Sequence, residues 1–140
     1  MRIHLWPFAF LLLAVSTTAQ APANAFYPKP THSDFPTYPE RALMAHVAGP
    51  VKLWFIVDQS GKVSQAGILS GNSMLRDAAL SALRSWEFRP GSIQPNIKHE
   101  SEFTYDLKTR SEAGEPKLTV SITDFRRVEI ISEIYVRTVE

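Results

Sequence analysis

The chain has 140 residues, a formal net charge of +1 and no cysteine. That length suits one domain with an extension. The near-neutral charge, without a basic cluster, excludes a phosphate-gripping nucleic-acid binder. The lack of cysteine excludes disulfides, thiolate metal sites, thiol catalysis and a lipidated cysteine anchor.

Residues 1–25 follow the layout of a secretory signal peptide. Arg2 is a short positive start, residues 5–15 (LWPFAFLLLAV) are apolar, and Ala19/Ala21 and Ala23/Ala25 form Ala-x-Ala patterns. The competing reading is an uncleaved inner-membrane anchor facing the periplasm. As a helix, an apolar run of this length reaches roughly 16 Å against roughly 30 Å of hydrocarbon, and Pro7 weakens it further. Removing the segment leaves 14 basic against 14 acidic residues.

Residues 26–37 contain Pro28, Pro30 and Pro36 and read as an extended linker. Residues 39–49 (PERALMAHVAG) read as a short helix. Proline suits its first turn, Glu40 its positive end, and Gly49 its stop. Ala42, Leu43, His46 and Val47 share one face. Residues 51–69 read as a β-hairpin, with Val51, Leu53, Phe55 and Val57 alternating against Lys52, Trp54, Ile56 and Asp58. Asp58-Gln59-Ser60-Gly61 is its turn.

A loop at residues 70–73 offers a helix cap. Leu75, Ala78, Ala79, Ala82, Leu83 and Trp86 then recur on one helical face, so residues 74–88 read as a helix ended by Arg89-Pro90-Gly91. Residues 100–108 alternate as a strand, as do residues 118–123 and 128–136 after a polar break. The expected class is α+β: two helices packed on a small antiparallel sheet (α-β-β-α-β), with a C-terminal β extension. The expected divisions are 1–25, signal peptide; 26–37, Pro-rich linker; 38–110, the domain; and 111–140, the extension.

The ordered set Tyr38-Pro39, Gly49, VKLWFIVDQSGKVSQAGILSG at 51–71 and AALSALRSWEFRPG at 78–91 resembles the C-terminal domain of TonB-family energy transducers. That family has a Tyr-Pro before a short helix, a glycine before a hydrophobic strand, an Asp-x-x-Gly-x-Val hairpin, a Ser-Gly loop and a Trp-x-Phe-x-Pro helix end. The resemblance covers about residues 35–108, half of the chain. It implies a non-enzymatic, cofactor-free protein-binding module in the periplasm. Its partner would be a peptide segment of an outer-membrane TonB-dependent receptor, bound by strand addition to an open sheet edge. By position that edge is Glu100, Ser101, Glu102, Phe103, Thr104, Tyr105, Asp106 and Leu107. A second receptor contact would involve Phe35, Thr37, Tyr38 and Pro39, although the glutamine usual there in the family is absent. The chain also lacks the long Pro-rich spacer of full transducers. Its alternatives are an envelope interaction module unrelated to receptors, and an anchored transducer if residues 1–25 are retained.

An enzyme has little support in the residues. His32, His46 and His99 stand in no metal-ligand motif, G-x-S-x-G is absent, and Glu100 and Glu102 read as a solvated strand face. The extension carries apolar faces that must be covered. Residues 118–123 are expected to pair antiparallel with 100–108 and compete with the peptide as a tethered strand. Residues 128–136 would lie next to them or complete a partner chain's sheet, which leaves a homodimer through the C-terminal strands open. The N-terminal reading is checked by intact mass of the exported form. A cut between Ala19 and Phe26 is expected, and full-length chain retained in carbonate-washed inner membranes would contradict it.

Overall fold

Alternation of apolar and polar residues in 51–57 becomes β1 (Gly49–Val57), and the return strand is β2 (Val63–Ser70), paired antiparallel. The computed structural model describes residues 27–110, 114–115 and 117–135. The signal-peptide region 1–25, Phe26 and Val136 lie outside the described residues. Asp58 builds the hairpin turn: its Oδ1 accepts from Ser60 N at 2.8 Å, Ser60 Oγ at 2.6 Å and Lys62 N at 3.1 Å. The Ser60 hydroxyl first, then the Lys62 N–H, hold its carboxyl below the ordinary value of 3.8. A lowered folded value means this support is complete above 3.8 and is lost as pH falls through the lower folded value. Gly61 has φ +88°, and a Cβ there would collide with the Phe88 carbonyl oxygen.

The first helix, α1 (Glu40–Met44), is shorter than expected. Pro39 is its N-cap, and Leu43 N donates to Pro39 O at 3.0 Å. It closes where Val47 N donates to Ala42 O at 2.8 Å and His46 adopts φ 51°. The second helix, α2 (Ser73–Arg84), starts on Asn72, whose side chain accepts from Met74 N at 2.9 Å. Its buried face is Leu75, Ala79, Ala82 and Leu83. It stops before Trp86, because Ser85 Oγ turns back on Ala82 O at 2.7 Å. Trp86 and Phe88 therefore leave the helix and bind the hairpin: Val63 N donates to Trp86 O at 3.3 Å, and Phe88 N to Gly61 O at 2.7 Å. Their apolar spacing had continued the helical pattern past its end.

The third strand, β3 (Lys98–Arg110), pairs antiparallel with the other side of β1. Val51, Leu53, Phe55 and Val57 of β1 and Phe103 and Tyr105 of β3 are buried with the inner face of α2. Phe55 is the hub. Phe88 stacks on it at 5.9 Å, while Trp86 and Phe125 meet it edge-on at 6.0 and 5.8 Å. Trp86 also stacks on Phe103 at 5.5 Å. Each such buried ring contributes about 2–3 kcal/mol of transfer free energy.

The extension forms β4 (Lys117–Asp124) and β5 (Arg127–Tyr135), joined by a tight turn. The sheet order is β2-β1-β3-β5-β4. This corrects the expected pairing: β5, not residues 118–123, lies against β3, and it runs parallel, from Glu102↔Arg127 to Arg110↔Tyr135. β4 pairs antiparallel with β5 and is outermost. The sheet is thus five-stranded and mixed rather than small and antiparallel. Composition explains the choice. β5 sinks Val128, Ile130 and Ser132 into the interior, while β4 alternates its apolar residues with Thr119, Ser121 and Thr123 and tolerates an outer place.

Residues 27–37 are extended, as their prolines require, but packed along the domain. Thr31 N donates to Glu87 O at 2.7 Å, Glu87 N to His32 O at 2.9 Å, and Phe125 N to Pro28 O at 3.1 Å. Tyr27 meets Phe125 edge-on at 5.2 Å, and Pro36 is fully buried.

Truncation after Arg110 would remove Phe125, Val128 and Ile130, all buried with the core. At about 2–3 kcal/mol each, this loss rivals a domain stability of about 5–15 kcal/mol. The truncated chain is expected to lose its cooperative thermal transition in near-UV circular dichroism. A sharp transition at the parental temperature would contradict an integral extension.

Candidate functional site: the sheet edges

β3 is flanked on both sides. Its partner β1 runs along it from Ile56↔Lys98 to Gly49↔Tyr105, and β5 takes the opposite side from Glu102 onward. The anticipated docking edge is therefore divided. Phe103, Tyr105 and Ser101 are buried, and Phe103 and Tyr105 belong to the core. Glu102 pairs in register with Arg127, Thr104 with Glu129, Asp106 with Ile131 and Leu107 with Ser132. Glu102 N donates to Arg126 O at 2.8 Å, so its outward amide is used. Glu100 lies ahead of the β5 ladder. The eight residues do not form a free edge: the chain's own β5 holds the place that the resemblance assigns to a receptor peptide.

The second set of anticipated contacts also separates. Tyr38 is buried, its hydroxyl donates to Val47 O at 2.6 Å, and its ring stands edge-on to Tyr105 at 5.2 Å. Burial first, then the Asp106 carboxylate, pushes the Tyr38 phenol up; burial first, then Tyr38, pushes the Tyr105 phenol up. Tyr38 and Pro39 thus fix α1 to the core. Phe35, 68% exposed, and the exposed Thr37 remain open to a partner.

Two outer strands remain. β2 is interrupted by two register shifts, and its first residue is tied to Trp86 O. β4 is regular from Lys117↔Glu133 to Ile122↔Val128, with one shift at its tip. Among the described residues no strand pairs with its outer side. Leu118, Val120 and Ile122 follow Ser132, Ile130 and Val128 on the helix-bearing face, while Thr119 and Ser121 stand exposed on the other. The sequence reading found this strand but not its outer position; the Thr/Ser alternation was the signal available.

Two clefts open where the ladders end. One, of about 500 Å³, lies beyond the start of the β3–β5 ladder, lined by Tyr27, Lys52, Glu100, Ser101, Glu102, Thr123, Asp124, Arg126 and Arg127. Lys52 Nζ lies 3.9 Å from Glu102 Oε2, and Arg126 Nη1 donates to the Tyr27 hydroxyl at 2.7 Å. The other, of about 670 Å³, sits at the start of β1, beside Gly49, Thr104, Asp106, Lys108 and Glu129. Charges of both signs line each, so neither selects a strongly charged ligand. Among the described residues no group of three or more His, Cys, Asp or Glu side chains is placed to hold a metal ion. Nor is any helix among them long and apolar enough to cross a membrane. The histidines lie apart: His32 is 3.9 Å from Asp34, His99 bonds Gln94 O at 2.8 Å, and His46 is exposed.

Tyr38→Phe removes the bond to Val47 O and is expected to lower unfolding free energy by about 1 kcal/mol in urea denaturation. An unchanged midpoint would show that the hydroxyl does not anchor the segment after α1.

No curated protein matches the chain. The family model described as the Gram-negative bacterial TonB protein C-terminal matches residues 35–107, just over half of the sequence. The matched part runs from Phe35 through β1, β2 and α2 to Leu107 in β3, and it stops before the hairpin that fills the β3 edge. The chain belongs to the TonB C-terminal domain family.

Proposed function

We propose that this chain is a periplasmic protein-binding module that takes an extended segment of an outer-membrane TonB-dependent receptor by strand addition at β4. The signal-peptide layout of residues 1–25 supports export, and family membership supports the receptor class. The observation that carries the reading is the regular outer edge of β4, which no strand among the described residues pairs with, while the β3 edge is filled. Displacing β5 would expose Val128 and Ile130, both at 0% exposure. At about 1.5–3 kcal/mol per buried side chain, that cost offsets much of the return from a short peptide. The tethered competitor envisaged from sequence is thus replaced by a fixed strand, and the docking edge moves outward by two strands.

About five new backbone hydrogen bonds at a net 0.5–1.5 kcal/mol each, less the ordering of the peptide, correspond to micromolar to millimolar affinity. The exposed Phe35 and Thr37 could add a second contact for a longer segment. In an NMR titration with an extended receptor-segment peptide, the largest amide shifts are expected in β4 and its neighbour β5. Shifts confined to α1 and α2 would overturn the docking mode. Capture of other envelope proteins, with no receptor, would replace the partner.

A further inference from the structure

Strands at sheet edges are usually protected by charge, proline or a bulge, because their free amides and carbonyls recruit other strands. β4 has little of this. Between Lys117 and Asp124 its sequence is LTVSIT, without charge, proline or glycine, and its shift in register comes only after Ile122. Thr119, Val120, Ile122 and Thr123 are β-branched and exposed or half-buried, and Leu118 is 42% exposed. This composition favours pairing with another uncharged strand.

The pattern is also complementary to itself. An antiparallel pair of β4 strands related by a two-fold axis at Val120 sets Val120 opposite its own copy. Leu118 then faces Ile122 of the partner subunit, so the apolar residues of both chains share the helix-bearing face. Thr119 faces Ser121 of the partner subunit on the polar face. The ends match as well. The register shift before Asp124 returns it to the side of Arg127, the face that Lys117 shares with Glu133. The Lys117 end of one strand therefore lies beside the Asp124 end of the other, with opposite charges at both ends of the pair. A shift by one residue would set apolar against polar residues along the whole strand.

We propose that β4 is a self-association edge: two copies join through antiparallel β4 strands, centred on Val120, into one continuous sheet. The inference rests on the reading of β4 as the open pairing edge, not on the identity of the receptor. A second copy and a receptor segment then contend for the same amides and carbonyls, so self-association regulates access to the docking edge.

The chain has no native cysteine, which makes single substitutions unambiguous reporters. Directly opposed residues in an antiparallel pair have Cα atoms about 4.5–5.5 Å apart, within disulfide range. Under mild oxidation of the full chain, Val120→Cys is expected to give a covalent dimer. Leu118→Cys and Ile122→Cys each place their like sulfurs about 13 Å apart in this register and should not cross-link alone, but the two variants mixed should. Sedimentation supplies the second measurement. Thr119→Lys with Ser121→Lys, both at exposed positions, opposes like charges twice across the axis and should weaken the dimer about tenfold. Thr119→Lys with Ser121→Glu opposes unlike charges and should restore it. A chain monomeric at millimolar concentration, cross-linking without dependence on position, or failure of the charge exchange to restore association would each overturn the proposal. Peptide binding by a chain that never dimerises would leave the docking reading standing and remove this one. A dimer that ignores receptor peptides would do the reverse.

Discussion

The parallel ladder from Glu102↔Arg127 to Arg110↔Tyr135 sets what the rest of the sheet can do. It gives β3 a second neighbour and fills the side of β3 away from β1. It also extends the core, because Val128 and Ile130 lie buried beside Phe103 and Tyr105, their register partners. A strand held by backbone pairing alone is exchangeable. One that also buries two fully enclosed aliphatic side chains is a structural member.

The ladder's position follows from the hairpin that delivers it. β4 and β5 form one antiparallel unit, and its more deeply apolar strand turns inward. The tip of that hairpin is clasped by the segment before the helices. Phe125 N donates to Pro28 O at 3.1 Å, and the Arg126 guanidinium lies 4.7 Å from the Tyr27 ring centre. Phe125 in turn packs on Phe55 and Phe88. The two ends of the described chain thus stabilise each other around the hub of the core, outside and inside the family-matched region alike. With β3 enclosed, β4 is the outer strand on this side of the sheet, and Phe35 stands exposed near the domain's entry.

Much of the fold was legible from residues. Alternation in 51–57 and 100–108, the Asp58–Gly61 turn and the apolar face of residues 75–83 each encode a local structure that tertiary contacts preserve. The α+β class and the strand content of the extension follow from the same patterns. The partner of each extension strand does not, because alternation shows that a strand has two faces and is silent on its neighbour and direction. Proximity in sequence favoured residues 118–123 as the partner of β3, whereas burial of Val128 and Ile130 favoured β5. Trp86 extended the helical spacing although Ser85 ends the helix, since period alone cannot register a side chain turning back on a carbonyl. Prolines indicated an extended segment at 26–37 but not that Pro36 would be buried. The candidate residues lie on β3, and their edge is covered by the extension as expected, but by β5 in parallel rather than by residues 118–123.

Amide hydrogen exchange distinguishes a β5 that is a fixed member of the sheet from a displaceable strand. Integral pairing predicts that amides of Ile130 and Ser132 in β5 exchange only through global unfolding, with the same opening free energy as Leu53 and Phe55 in β1. Exchange of the β5 amides through a separate opening of much lower free energy, with β1 still protected, would contradict it and return the β3 edge to an incoming peptide.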